Sequence, residues 1–251
     1  SARDTGAAFE DAAWTITSQS GSVRFVRTDG SSNVISDATH TFQGQAGQSL
    51  WSRADAVSGA LSEILSSPGQ DGGESRQETV YAGGSIASRV TTHTALIGSG
   101  PAAVEREILR AEWDGASASF RETRMSWRED SLNALRNGRP RLMERDGGAW
   151  EFRNHDSRGR DTLTATPLDG SAPPAAILYA AADPETAQGL AALEGAACLA
   201  VTHSYTPVTG SGDTASYLDS RQPRETVTWT VRDGRAAPAA REWRVCTRFS
   251  T

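Results

Sequence analysis

Lysine is absent from the chain, and all 25 of its basic side chains other than histidine are arginines. Schiff-base catalysis, pyridoxal phosphate anchoring, and the phosphate-binding lysines of P-loop enzymes and kinases all need a primary amine. These mechanisms are therefore excluded. A GC-rich genome, which raises arginine, alanine and glycine together, is a simple reason for the bias.

Long apolar runs are also missing. The longest candidate, residues 172–182, contains Pro173 and Pro174 and is much shorter than the roughly 20 residues that a membrane-spanning helix needs. The sequence therefore predicts no transmembrane segment, and at most peripheral contact with an envelope surface.

Cysteine is scarce, with only Cys198 and Cys246. Their spacing fits neither a Cys-x-x-Cys redox motif nor a cysteine-rich zinc site. Each lies in a stretch rich in β-branched and aromatic residues, which predicts a structural disulfide that would contribute about 4 kcal/mol. The alternative is a pair of buried free thiols in a cytosolic protein.

The disulfide and the start of the chain at Ser1, without methionine, indicate a periplasmic or extracellular protein whose signal peptide has been removed. An artificial start would give the same beginning. Oxidising compartments are where structural disulfides persist.

Net charge is −6 and the isoelectric point is near 5.3. The global field therefore opposes binding to a nucleic acid, and we expect no such partner. Residues 121–160 have a positive charge balance instead, because they contain ten arginines and seven acidic residues.

Short stretches of β-branched and aromatic residues, separated by Gly, Asp and Ser turns, run through most of the chain. They predict a mainly β fold, either an antiparallel β-sandwich or a curled half-barrel with one or two short helices. The clearest predicted hairpin joins residues 226–231 to residues 242–249. Apolar residues at three-and-four spacing predict a helix over residues 49–66, and Asp183 with Pro184 predicts the start of a second.

A few segments allow weaker predictions. Residues 101–113 fit a strand better than a short helix, and residues 130–138 fit one or two helical turns. We expect one β-rich domain over residues 1–251, with a weak possible boundary near residues 68–75, where glycines cluster.

No catalytic, cofactor-binding or metal-binding residues are identified by their spacing. Residues 83–87 resemble a nucleophile elbow, but β-branched residues follow Ser85 where a helix is needed. A metal site built from histidines on distant strands is disfavoured. The four histidines are His40, His93, His155 and His203.

Aromatic residues next to arginines form the best candidate contact surface, since both groups offer large planar faces. The predicted partner-binding residues are Trp127, Arg128, Trp150 and Arg153. The competing interpretation places each tryptophan in the core and its arginine neighbour in solvent, as alternation along a strand requires.

Two functional classes follow from these features. The first is a noncatalytic, exported structural or interaction protein, a subunit of a cell-envelope or extracellular assembly with a protein partner. The alternative is a periplasmic carrier or binding protein for an apolar ligand or a glycan, with an internal pocket lined by residues such as Trp127, Phe152 and Trp229. A hydrolase with an unidentified site comes third, and would need a histidine beside an acid and a serine.

Overall fold

Antiparallel strands make up nearly all of the regular structure. The computed structural model describes residues 13–45, 47–130, 132–170, 172–174, 190, 193, 195–205 and 222–243. Within these ranges the chain forms fifteen strands in one open sheet, and each strand lies beside its neighbours in sequence. The prediction of a mainly β fold is confirmed.

The first seven strands are β1 (Ala13–Gln19), β2 (Ser22–Thr28), β3 (Val34–Gln45), β4 (Gln48–Asp55), β5 (Leu61–Pro68), β6 (Glu74–Ala82) and β7 (Ser85–Ile97). The others are β8 (Val104–Trp113), β9 (Arg121–Trp127), β10 (Pro140–Arg145), β11 (Ala149–His155), β12 (Asp161–Pro167), β13 (Cys198–Ser204), β14 (Glu225–Arg232) and β15 (Arg235–Trp243). Short 3₁₀ helices occupy Gln70–Gly72 and Gly100–Ala102. The described residues contain no α-helix.

The predicted helix over residues 49–66 is wrong, because this segment is the β4–β5 hairpin. Its register pairs Leu50 with Leu65 and Trp51 with Ile64. The turn between the strands is held by the carboxylate of Asp55, which accepts the backbone N–H groups of Val57 and Ser58, each at 3.0 Å.

The strand predicted within residues 101–113 is confirmed as β8, and residues 132–138 form turns instead of a helix. The first strand of the predicted C-terminal hairpin is confirmed as β14, but its partner β15 is Arg235–Trp243, which overlaps the predicted residues 242–249 only at residues 242 and 243. Residues 244–249 lie outside the described residues. The helix predicted at Asp183 lies outside the described residues. Of the described helices, none has the length and apolar character needed to cross a bilayer.

The chain divides into two compact units, residues 1–95 with 109–122 and residues 96–108 with 123–251. Residues 68–75 lie inside the first unit and run from the end of β5 to the start of β6. The single domain expected from the sequence stays a prediction.

The second unit has a core of large side chains, which come from the same face of β10 to β14. Phe152 and Leu163 are 0 % and 1 % exposed, and Trp150 is 4 % exposed. Cys198 and Ala200 of β13 and Val231 of β14 complete this cluster. In the described part of the first unit, the buried apolar residues are all alanines: Ala38, Ala95 and Ala111.

Candidate functional site

One face of strands β2 to β4, in the first unit, carries a ladder of aromatic rings. Because side chains alternate along a strand, Phe25 of β2, His40 and Phe42 of β3, and Trp51 of β4 all point to this face. The ring of Phe25 meets His40 edge-on at 5.3 Å, and Trp51 lies 5.6 Å from His40 and 6.4 Å from Phe42. We call these four residues the aromatic face.

The aromatic face is open to solvent. Phe42 is 53 % exposed and Trp51 is 43 % exposed. A hollow of about 390 Å³ lies among the rings, with Val23, Ala38 and Arg53 at its walls. At the edge of the sheet, Ile16 of β1 pairs with Phe25 and is 63 % exposed.

The opposite face of the same strands carries a paired polar cluster as well as apolar residues such as Ile35 and Leu50. Arg24 donates to Asp37 at 2.7 Å, and this bond is the main reason that the pKa of Asp37 is lowered. On the following strands, the Tyr81 hydroxyl of β6 donates to Glu63 of β5 at 2.9 Å. The aromatic rings of strands β2 to β4 thus lie together on one face, and the Arg24–Asp37 ion pair lies on the other.

A second candidate site lies at one end of the sheet in the second unit. In an antiparallel sheet every second strand runs in the same direction, so the starts of alternate strands lie at the same end of the sheet as the ends of the strands between them. The starts of β10, β12 and β14 therefore meet the ends of β11 and β13. Polar side chains at these positions surround a cleft of about 360 Å³, the arginine cleft, which is lined by Arg139, Pro140, Arg153, His155, Gly159, Arg160, Asp161, His203, Tyr205 and Pro223.

Asp161 is the acidic centre of the arginine cleft. Its carboxylate lies 2.9 Å from Nε2 of the buried His155 and 3.4 Å from Arg153. The hydrogen bond from His155 is the largest cause of the lowered pKa of Asp161, and burial opposes it. Tyr205 donates its hydroxyl to the backbone carbonyl of Asp161 at 3.0 Å.

The arginine cleft combines a histidine with an acid, as general acid–base chemistry requires. His203 lies in the same cleft, with Nδ1 3.2 Å from the Thr226 hydroxyl. The hydrolase hypothesis also needs a serine, and none of the described residues that line this cleft is a serine. His40 and His93 lie in the first unit, and no cluster suited to a metal ion occurs in the ranges described.

A third cleft, of about 610 Å³, adjoins the arginine cleft in the second unit and shares Arg139 and Pro140 with it. We call it the tryptophan cleft; its other walls are Val104, Arg106, Trp127, Ala134, Leu135, Asn137 and Gly138. The Trp127 indole N–H donates to the carbonyl of Glu107 at 2.6 Å, and the Arg106 guanidinium lies 5.5 Å from the Trp127 ring centre.

The four predicted partner-binding residues lie in different environments. Arg128 and Trp150 are each 4 % exposed, so their side chains are buried within this chain. Trp127 lines the tryptophan cleft and Arg153 lines the arginine cleft. The aromatic face was not identified from the sequence, although Phe42 and Trp51 were visible as aromatic residues flanking a glycine turn.

Cys198 is buried, and burial raises the pKa of its thiol to about 11. It pairs with Val231 at one end of β14, while Trp243 of β15 pairs with Glu225 at the other end. Cys246 lies outside the described residues, and no disulfide occurs within them. The disulfide stays a prediction.

No protein-family model matches the chain, and no curated protein matches it in sequence.

Proposed function

We propose that the protein is a noncatalytic interaction protein whose first unit binds a partner protein through the aromatic face. The observation that carries this proposal is the distribution of apolar side chains in that unit. Only alanines are buried among its described apolar residues, whereas Phe42 and Trp51 are about half exposed. A sheet with an apolar face gains stability when that face is covered.

The chemistry of the aromatic face suits a protein partner. Aromatic side chains are enriched at the centres of protein interfaces because they bury large areas at low entropic cost. The hollow of about 390 Å³ among Phe25, His40 and Trp51 has room for one or two apolar side chains of a partner. We therefore propose an assembly in which a partner inserts apolar side chains beside Trp51.

Carriage of an apolar ligand has less support. Phe152 lies in the core, and Trp229 packs against that core with its indole N–H 2.9 Å from the Thr202 hydroxyl. Trp127 lines the tryptophan cleft. These three residues, which were expected to line one internal pocket, contribute to different parts of the second unit.

An exported location is part of the proposal, and it rests on the predicted disulfide alone. The test is the state of Cys198 and Cys246 in protein isolated from its natural source with thiols blocked at lysis. Two protected thiols that become reactive after reduction are expected. Two free thiols would remove the reason for placing the assembly in an oxidising compartment.

The docking proposal is tested by native mass spectrometry of protein isolated gently from its source. We expect a complex of defined stoichiometry for the wild type, and its loss in the double variant Phe42→Ser, Trp51→Ser. Leu132→Ser is the matched control, because Leu132 is 98 % exposed in the second unit. A complex that survives in the double variant, or a wild type that is always monomeric, would reject the proposal.

A further inference from the structure

Arg139 stands at the junction of the arginine cleft and the tryptophan cleft, and it contributes to the walls of both. Its Nε donates to the carbonyl of Leu135 at 3.1 Å. The terminal nitrogens contact no carboxylate among the described residues. They form a guanidinium fork of the kind that binds carboxylates with two parallel hydrogen bonds.

The other arginines of the arginine cleft are already neutralised. Arg153 donates to Glu151 at 2.5 Å and lies 3.4 Å from Asp161. Arg160 donates from Nε to Asp156 at 2.7 Å. Among the arginines of the arginine cleft, Arg139 is therefore the one whose guanidinium is most available to bind an anion from solvent.

The turn between β11 and β12 holds one wall of the site in place. The Asp156 carboxylate accepts the backbone N–H groups of Arg158 and Arg160 at 2.9 and 3.0 Å. The Arg160 guanidinium lies 4.0 Å from the ring centre of Tyr205. Gly159 packs so closely that a Cβ atom there would lie 2.1 Å from the carbonyl oxygen of Leu135. A wall that is ordered before binding reduces the entropic cost of binding.

Side chains of the tryptophan cleft are also held by hydrogen bonds. The side chain of Asn137 donates to the carbonyls of Ile97 and Ala102 at 3.1 and 2.7 Å, and it accepts the Asp130 N–H at 3.0 Å. The indole of Trp127 is held by its hydrogen bond to Glu107. The two clefts thus offer fixed polar groups on one side of Arg139 and an aromatic ring on the other.

This combination matches one ligand class better than a simple anion. A small anion would need only Arg139, and an apolar molecule would not match the polar walls of the arginine cleft. A sugar acid carries a carboxylate, several hydroxyl groups and an apolar ring face. The two adjoining clefts, of about 360 and 610 Å³, have room for more than one ring.

We propose that Arg139 and the two adjoining clefts bind an acidic oligosaccharide, with a carboxylate on the Arg139 guanidinium and a neighbouring sugar ring against Trp127. This site is independent of the aromatic face, which lies in the first unit. It requires no chemical change in the ligand.

The test is calorimetric titration with trigalacturonic acid, its methyl-esterified form and inorganic phosphate. We expect binding of the acid, at least tenfold weaker binding of the ester, and no saturable binding of phosphate. Arg139→Gln should weaken binding of the acid at least tenfold. Arg158→Gln is the matched control, because Arg158 is an exposed arginine of the adjacent turn that lines neither cleft, and its affinity should stay within twofold of the wild type.

Far-ultraviolet circular dichroism and the melting temperature show whether each variant is folded. If Arg139→Gln does not fold, Arg139→Lys keeps the charge without the fork and should bind the acid several-fold more weakly. Equal affinity for acid and ester, saturable binding of phosphate, or unchanged affinity in a folded Arg139 variant would each overturn the proposal. Absence of any binding by the wild type would overturn it too, without bearing on the aromatic face.

Discussion

Arg141 is a buried cation in the core region of the second unit. It is 4 % exposed and its guanidinium lies 5.9 Å from the ring centre of Phe152. Its Nε and Nη2 atoms have no hydrogen-bond partner in the ranges described. Burial lowers the pKa of this guanidinium, because a charge loses hydration when it leaves water.

We therefore expect Arg141→Met to stabilise the protein, raising the free energy of unfolding by about 1 to 2 kcal/mol, since an apolar side chain of similar length removes an uncompensated charge. Urea unfolding followed by circular dichroism measures this change. The control is Arg145→Met at an exposed position of the same strand, where a change within about 0.5 kcal/mol is expected. A clear loss of stability in Arg141→Met would show that the guanidinium has a partner.

Asp161, in the arginine cleft, makes the stability of the fold depend on pH. Its pKa is lowered, first by the hydrogen bond from His155 and also by the charge of Arg153. A lowered folded-state pKa means that the carboxylate stabilises the fold above its unfolded pKa of about 4, and that this contribution is lost as the pH falls through the folded-state value.

Asp161→Asn should accordingly lower the free energy of unfolding at pH 7 by about 1 to 3 kcal/mol, because His155 loses its ionised partner. Between pH 5 and pH 2 the variant should lose less stability than the wild type. Urea titrations across this range measure both effects, with Asp233→Asn as the exposed control. Parallel stability curves for wild type and Asp161→Asn would contradict the assigned linkage.

The alternation of side chains along the strands did not predict that Arg128 and Arg141 are buried. Arg128 lies directly after β9, where its backbone bonds to Arg139 and Gly138 replace the regular ladder. Arg141 lies at a register shift between Pro140 and Leu142. At such irregular positions the two-residue period no longer decides which side chain faces solvent.

At the scale of single elements, the β4–β5 hairpin shows why strand and helix patterns were confused. Leu50 and Leu65 form a pair on one face, while Trp51 and Ile64 form a pair on the other. With apolar residues on both faces, the strands show no clear alternation, and their spacing matches a helix by coincidence. Gly59, with a φ of +69° in the turn, was the local signal against a helix.

Strands with a polar face and tight turns were predicted more accurately. The pattern of Thr226 to Val231 placed β14 correctly, because Val227 and Val231 are buried while the alternating threonines are only half-buried. The β8 strand was also predicted. The arginine cleft was not, since its residues come from five segments that only the order of strands brings together.

Close approach of backbones makes Gly73 essential to the start of β6. A Cβ atom at this position would lie 2.0 Å from the carbonyl oxygen of Thr94 in β7. Next to it, the Glu74 N–H donates to the Thr94 hydroxyl at 2.7 Å. Backbone atoms cannot give way as flexible side chains do.

Gly73→Ala should therefore lower the free energy of unfolding by about 2 to 3 kcal/mol, the cost of overpacking with backbone displacement. Gly44→Ala is the matched control within the same unit, because a Cβ atom there would meet Phe42 at 3.5 Å, an ordinary contact. Its effect should stay within about 0.5 kcal/mol. Thermal unfolding of the wild type, Gly73→Ala and Gly44→Ala measures these effects. Equal melting temperatures for the two variants would contradict the argument.

At the scale of the whole molecule, burial is distributed unevenly between the two units. The second unit has Phe152, Leu163 and Leu193 almost fully buried, while the described buried apolar residues of the first unit are alanines. Both units have regular backbone ladders, so hydrogen bonding alone does not distinguish them. Buried apolar area is the larger stabilising contribution.

Amide hydrogen exchange should follow this difference. We expect the amides of β11 to β13 to exchange at least tenfold more slowly than those of β2 to β4, because local opening costs more where large side chains are packed. Mass spectrometry of peptides from the intact protein measures both sets at once. When the partner complex forms, protection should rise in β2 to β4 and stay constant in β11 to β13. Slower exchange in β2 to β4 than in β11 to β13 of the isolated protein would show that these strands are stable without a partner on the aromatic face. That result would remove the energetic basis of the docking proposal.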